Sequence, residues 1–358
     1  SYRFSFQRPK VFDPGTYGIY GGPTNGGFAG SGTQNTISTA GNYTRTFSPT
    51  LILEARFGVS WYHNVAIAQA AGLKTSDEVG IKGANIDDFS SGLTSINIGG
   101  FSGPVLGFSA SLPWDRGETT YIGSGILTKL WGNHSVKVGE VIRHNRDLLL
   151  QIQDQGGVRG QFSFNGGRTA IPSDTAAQNG IANAFASFLL DVPSGYSRDI
   201  KVIDQPATQH YAYFTFVQDN WQVTKKLTVN LGLRHEYYTP LVGIVGKGGL
   251  SNYNPSDNTE RVAGFGDVPQ NVGVKGTWKN FVLRSGASYR ITDKTVVRAG
   301  YGASVIPFPD NSYAFNFPVK QNNQFNPPNN FAVAGSMAAG LPAPQVFSVP
   351  GNRVIQAN

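Results

Sequence analysis

The 358-residue sequence contains no cysteine and a single methionine. Without thiols it has no disulfide framework, no thiolate metal site and no cysteine nucleophile. Charge is also scarce: Asp, Glu, Lys and Arg make up 14% of the residues, against about 25% in an ordinary soluble domain. No apolar run approaches the roughly 18 residues of a membrane helix; the longest, Ile181 to Leu190, is short and interrupted. The 29 basic residues outnumber the 22 acidic ones. They are scattered, with no basic stripe or recognition helix, which argues against a nucleic-acid partner. What is abundant is glycine, at 45 residues, and aromatic side chains, at 12%. That aromatic content argues against disorder. With the many Asn, Ser and Thr it points to antiparallel sheet carrying long polar loops.

Strand-like alternation recurs in pairs. Asn42 to Phe47 leads into Leu51 to Tyr62, Thr119 to Leu130 into Ser135 to Asn145, Thr208 to Asn220 into Leu227 to Tyr238, and Phe281 to Arg290 into Thr295 to Val305. Each pair is joined by a connector of three to six residues, the length of a hairpin turn. Between the pairs lie Pro9 to Gly41, His63 to Glu118, Arg146 to Ala207 and Thr239 to Asn280, far longer than the usual connection. A further strand, Tyr2 to Arg8, precedes the first of these. Short and long connections therefore alternate over nine candidate strands. A transmembrane barrel with short periplasmic turns and long extracellular loops has this rhythm; a soluble sandwich has no reason for it. Ten residues at about 3.3 Å, tilted near 45°, rise roughly 23 Å, close to the apolar band of an outer membrane.

The two faces separate by parity. Leu51, Leu53, Ala55, Phe57, Val59 and Trp61 oppose Glu54, Arg56, Gly58 and Ser60. Leu227, Val229, Leu231 and Leu233 oppose Asn230, Arg234 and Glu236, while Leu283 and Tyr289 oppose Arg284, and Val297 and Tyr301 oppose Arg298. Apolar residues toward lipid and polar ones toward a wet lumen are what a wide barrel needs. Arg56, Arg234, Glu236, Arg284 and Arg298 form the expected lumen set, with mutual or plug-directed salt bridges as their role. A soluble sheet with one buried face fits any single strand equally well, but fits less well at the ends. There Trp61, Trp131, Trp221, Trp278, Tyr237 and Tyr238 occupy the positions of an interfacial girdle. Two places break the pattern. Phe214 and Phe216 oppose Tyr211, Tyr213 and Val217, so that strand is apolar on both sides. Glu140 shares a side with Val136, Val138 and Ile142, which places it near the interface or calls for a bulge.

Phe216-Val217-Gln218-Asp219-Asn220-Trp221, continuing as Leu227-Thr228-Val229-Asn230-Leu231-Gly232-Leu233-Arg234-His235-Glu236-Tyr237-Tyr238-Thr239-Pro240, resembles the barrel signature of TonB-dependent outer-membrane receptors, in particular the Oar-like group common in acidobacteria. Trp131-Gly132-Asn133-His134-Ser135-Val136-Lys137-Val138-Gly139, Phe162-Ser163-Phe164-Asn165-Gly166 and Thr295 to Gly302 are similar to other elements of that group. Phe281 to Leu283 depart from the group's alanine-proline pattern. The resemblance covers roughly Tyr2 to Val305. It implies a 22-stranded barrel, of which about nine strands are recognisable here, plugged by an amino-terminal domain and coupled to the TonB–ExbB–ExbD system. The group's carboxypeptidase-regulatory-like domain, plug and TonB-interacting segment have no counterpart in the sequence, which reads as a piece of something longer. The expected organisation is therefore an all-β, antiparallel, partial transmembrane barrel over residues 1–305. Residues 306–358 follow as an extracellular loop or irregular segment. The expected location is the outer membrane of a Gram-negative bacterium, in contact with its lipid.

Catalytic signatures are weak. His63, His134, His144, His210 and His235 show no metal-ligand spacing. The neighbouring carboxylates Asp77-Glu78 and Asp87-Asp88 point to opposite faces if extended, no nucleophile elbow is present, and the glycine pairs lack a phosphate-loop context. No enzyme, cofactor or metal is expected. Aromatic loop residues offer large contact area at low entropy cost, so Trp114, Tyr196, Tyr253 and Tyr313 are the candidates for touching an unidentified extracellular ligand. The competing reading is a structural or adhesive surface protein without transport. A stretch at Ile181 to Leu190, after Pro172-Ser173-Asp174, is the one helical-looking piece and is expected in an extracellular loop.

Overall fold

The computed structural model describes residues 1–153, 156–203, 205–245, 247–307 and 318–344, and the backbone of 354–356. Its main sheet is built from β1 (Tyr2–Gln7), β2 (Lys10–Asp13), β3 (Gly30–Ser48) and β4 (Leu51–Ala68), then, past the short β5 (Ser95–Ile98), from β6 (Trp114–Trp131) and β7 (His134–Gln151). After β8 (Gln161–Phe164) and β9 (Gly195–Lys201) it continues with β10 (Ala207–Gln222), β11 (Leu227–Tyr238) and β12 (Val242–Gly243). A hairpin of β13 (Ser251–Asn254) and β14 (Thr259–Val262) precedes β15 (Phe281–Thr292) and β16 (Thr295–Gly302), and β17 (Lys320–Phe325) and β18 (Val354–Gln356) follow. The main path runs β1-β3-β4-β6-β7-β10-β11-β15-β16 in chain order, every pairing antiparallel. These are the nine strands read from the alternation, and the sheet does not close on itself.

The register explains why those sequences form those strands. One cross-strand row, Leu53, Leu127, Val138, Val217, Leu233 and Leu283, crosses six strands on a single face, and five of these six side chains are largely exposed. In water so broad an apolar surface would drive association; against lipid it is the required solvent-facing side. The aromatic belts lie on the same face. At the end with the short turns, Trp131 pairs with His134, and the His134 and Trp221 rings stack at 5.2 Å. Toward the long loops Tyr121, His144 and Tyr211 stack in sequence at 5.8 and 4.2 Å, and Tyr213, Tyr237 and Trp278 at 6.1 and 3.6 Å. Trp131 to Tyr121, His134 to His144 and Trp221 to Tyr211 are each ten residues. Ten residues at about 3.3 Å and a 40–45° tilt separate the belts by roughly 25 Å, the height of the outer-membrane apolar band.

Three expectations are corrected. Four strands run well past their expected ends: β3 has 19 residues and β4, β6 and β7 have 18 each. Segments 30–41, 63–68, 114–118 and 146–151, expected in connections, are paired strand. Except for Thr39 to Gly41, which pair with Val59 to Phe57 at or below the upper belt, they lie beyond it, where no lipid demands an apolar face and alternation disappears. Tyr238 is no girdle residue; it pairs with Ala212 on the inner face and meets Phe214 edge-on at 5.5 Å. The β7–β10 pairing is continuous from Trp221–His134 to Ala207–Leu148, so no bulge rescues Glu140. It lies six residues from the lower belt, on the outer face, hydrogen-bonded by the Thr215 hydroxyl across the strand pair.

The buried core lies in the loops rather than in the wall. A four-stranded sheet ordered β17-β9-β8-β5, with β5 and β8 parallel, covers a cluster of Ile81, Leu93, Ile96, Ile98, Phe162, Phe164, Ala184 and Leu341. The helix expected over Ile181 to Leu190 is present as α3, after α1 (Thr75–Glu78) and α2 (Thr175–Gln178); α3 runs Ile181–Leu189 and packs Phe188 on Phe164. Asp174 caps α2, accepting from the Ala177 amide at 2.9 Å, and leaves Gly180 to begin α3. The loop after β2 is tied to this cap by a bridge between Gly21 and Gly107, both with positive φ. A Cβ on Gly107 would sit 2.1 Å from the Thr94 carbonyl oxygen, so only glycine fits there.

Candidate functional site

Register places Arg56, Ser124, Val141, Phe214 and Glu236 in one row on the inner face, and Arg234, Arg284 and Arg298 share that face. Glu236 is the centre of the arrangement. Its residue is 2% exposed. Oε1 forms ion pairs with the Arg234 Nε at 3.0 Å and the Arg284 Nη2 at 3.6 Å, without a hydrogen bond from that Nε, while Oε2 accepts the Val305 amide at 3.0 Å. The Arg234 guanidinium lies over the Phe214 ring at 4.4 Å, with Arg143 at 5.9 Å from the same ring. This accounts for the strand that is apolar on both sides. Phe214 is a platform for cations, and Phe216 closes over Gly139, where an added Cβ would meet its ring at 2.7 Å. Arg56 is apart from this cluster, 3.5 Å from Glu54 and largely exposed. Arg298 pairs in register with Ser288, toward the short-turn end.

Directly above Glu236 the inner wall opens into a cavity of about 380 Å³ whose lining includes Tyr238, Leu241, Leu250, Val272, Asn280 and Val305. Val305 and Asn280 join the two features: one donates its amide to Glu236, and the carbonyl of the other accepts the Glu236 amide at 2.9 Å. The lining is mostly apolar with Lys275 as its one charged side chain, and Glu236 lies behind Val305 and Asn280 rather than in it, which suits a largely apolar ligand.

The aromatic contact candidates are not brought together. Trp114 is not in a loop but opens β6, where its indole Nε1 donates to Asn64 Oδ1 and its ring meets Phe28 at 6.1 Å. The strand extension beyond the membrane carried it out of the connection. Tyr196 lies on β9 in the cap sheet, stacked on Phe325 at 5.3 Å and tilted against Phe162 at 5.9 Å. Tyr253 is half-exposed on β13 and donates to Asn258 Oδ1 at 2.8 Å. Tyr313 lies outside the described residues.

The cap also buries cations that the sequence did not single out. Arg159 is 2% exposed, donates Nη2 to the Ser109 carbonyl at 2.8 Å and faces Phe108 at 5.8 Å. Burial pushes its guanidinium down to about 10. Arg198 is 4% exposed; burial lowers its pKa too, opposed by the negative charge of Asp87. No local pattern marks either residue, because their neighbours come from distant segments. Among the described residues no group of three or more His, Asp or Glu is arranged to hold a metal ion.

No curated protein matches the sequence. Among solved structures the chain is similar to the ferric-catecholate import receptor Fiu from E. coli K12 in its open form, at 12% identity and a TM-score of 0.40. That alignment covers 86% of this chain and 44% of Fiu. The family described as outer membrane beta barrel domain matches residues 1–358. An all-β wall with lipid-length aromatic spacing and a family match along its whole length lead to one conclusion: the chain belongs to the outer membrane beta barrel domain family and resides in the outer membrane.

Proposed function

We propose that the chain forms wall strands and extracellular loops of a TonB-dependent receptor of the Oar-like kind. Such a receptor takes up an extracellular ligand past a plug domain, driven through the TonB–ExbB–ExbD system. The chain binds and passes its ligand and catalyses no reaction. One observation carries the reading: the stretch resembling the receptor signature, Phe216 to Pro240, is the hairpin that builds the inner-face cluster. Phe214, Arg234 and Glu236 sit on it or beside it, with Arg284 reaching in from β15. A charged inner wall of this density needs either water or a polar plug against it. The proposed whole is a barrel of 22 strands with the cap at its outer mouth.

The full-length native protein, extracted in detergent from outer membranes, tests this. Its intact mass is expected well above the 38.4 kDa of this chain, and it is expected to bind the purified periplasmic domain of TonB saturably. A full-length protein with neither a plug nor TonB affinity would leave the structural or adhesive role in its place.

A further inference from the structure

Within the cap sheet, Arg198 on β9 pairs directly with Asn323 on β17. Their side chains share a face with Tyr196 and Phe325, two register pairs along. The Arg198 Nη2 donates to the Gly83 carbonyl. Its Nε and Nη1, and the Asn323 Nδ2, are buried with no hydrogen-bond partner among the described residues. Nor does any described carboxylate lie within ion-pair distance of Arg198. Asp87 acts on it only at longer range.

Buried donors are almost always satisfied, and a buried guanidinium without a counter-ion is costly. Here three unpaired N–H-bearing atoms belong to neighbouring side chains, and both side chains line one cavity of about 290 Å³. The same cavity is walled by the stacked Tyr196 and Phe325 rings and closed over by Leu341, Pro342, Ala343 and Pro344. The covering segment is held down by the Leu341 amide, which donates to the Lys82 carbonyl at 2.9 Å. Charge, donors and an aromatic wall therefore meet in a space at the small end of ligand cavities.

We propose that this cavity binds a small ring-bearing carboxylate, its carboxylate against Arg198 and Asn323 and its ring against Tyr196 and Phe325. Planar guanidinium and amide donors match the two oxygens of a carboxylate better than a spherical anion. The volume admits one ring rather than a chain of rings. An aromatic acid and a sugar acid both present this chemistry. The site stands independently of TonB coupling, since it needs only the folded cap.

The test is isothermal titration calorimetry of the detergent-purified full-length protein with sodium benzoate and, separately, sodium glucuronate. Benzyl alcohol, glucose and sodium sulfate are the controls. Saturable binding of at least one of the two acids is expected, and which one binds identifies the source. The neutral rings and sulfate are expected to bind about tenfold more weakly or not at all. Arg198→Gln is expected to lose the binding. Asn323→Asp supplies the guanidinium with an internal carboxylate, so it is expected to abolish binding while keeping the cap folded, read by unchanged hydrogen-exchange protection of β8 and β9. Binding of neither acid overturns the proposal. So does equal affinity for sulfate or for the neutral rings, and so does full affinity in a folded Asn323→Asp protein.

Discussion

Replacing Glu236 by alanine removes the one carboxylate that two arginines and a backbone amide share. Its side chain is 3% exposed, whereas those of Arg234 and Arg284 are 24% and 50% exposed. Breaking a fully buried ion pair costs about 3–5 kcal/mol. The two guanidinium groups left behind here are partly wet, which pulls the electrostatic part toward about 2 kcal/mol. The stranded Val305 amide adds about 1 kcal/mol. The expected loss is then about 3 kcal/mol, more than a hundredfold in the folding equilibrium. Followed by tryptophan fluorescence in urea with the protein in lipid vesicles, a slope near 2 kcal/mol per molar turns that into a midpoint lowered by about 1.5 M. Glu236→Gln keeps an acceptor for the Val305 amide and is expected to lose about half as much. Arg284→Ala, at 3.6 Å and half in water, is expected to cost less than about 1 kcal/mol. A Glu236→Ala protein within about 0.5 kcal/mol of the parent, the ordinary scatter of surface substitutions, would refute the reasoning.

Three further expectations follow from other parts of the molecule. Glu140 faces lipid near mid-band with only the Thr215 hydroxyl beside it, so Glu140→Leu is expected to stabilise the vesicle-embedded protein by about 1 kcal/mol in the same urea assay; destabilisation would place a polar partner against that face. The two aromatic belts are expected to report different depths: in single-tryptophan proteins, Trp221 and Trp278 should both be quenched most by bromines near the ester region, from opposite leaflets, and a mid-chain maximum for either contradicts the assigned band. Asp257, in the turn between β13 and β14, is held below its usual pKa by the Thr259 hydroxyl at 2.6 Å and by Arg261 at 2.9 Å. Its stabilisation of that hairpin is therefore complete above the ordinary aspartate value near 3.9 and fades as the pH falls through the lower folded value; amide exchange in 251–262 that is flat from pH 5 to pH 2.5, after correction for intrinsic rates, would contradict this.

The wall was legible because lipid enforces a period of two. Leu53, Leu233 and Leu283 alternate with Glu54, Arg234 and Arg284, and the register confirms that parity strand by strand. Parity alone was also enough to disqualify one of Tyr237 and Tyr238, since neighbours on a strand cannot both face lipid. Beyond the upper belt the constraint lapses. Segment 30–36, with its Gly, Ser, Thr, Gln and Asn, pairs in register with 62–68 but carries no hydrophobic rhythm to show it. The cap was illegible for a different reason. Its strands are short, and they pair across long separations: Ser95 with Gln161 in parallel, Lys201 with Lys320. Neither a turn signal nor a local period links such segments. Arg198 and Asn323 are neighbours only through that pairing, so no scan along the chain brings them together.

The strand extensions have a consequence for what reaches the cap. An 18-residue strand tilted near 45° rises about 42 Å, of which the membrane band takes about 25 Å. Because the lower belt lies beside the short turns, nearly all the surplus stands outside. The result is a collar some 17 Å tall, its outer surface bearing Asn35, His63, Thr119, Arg146 and Gln209. It lifts the cap clear of the apolar band of the membrane. The cap is thus presented to the medium as the head of a column, and a bulky partner meets it before it meets the lipid.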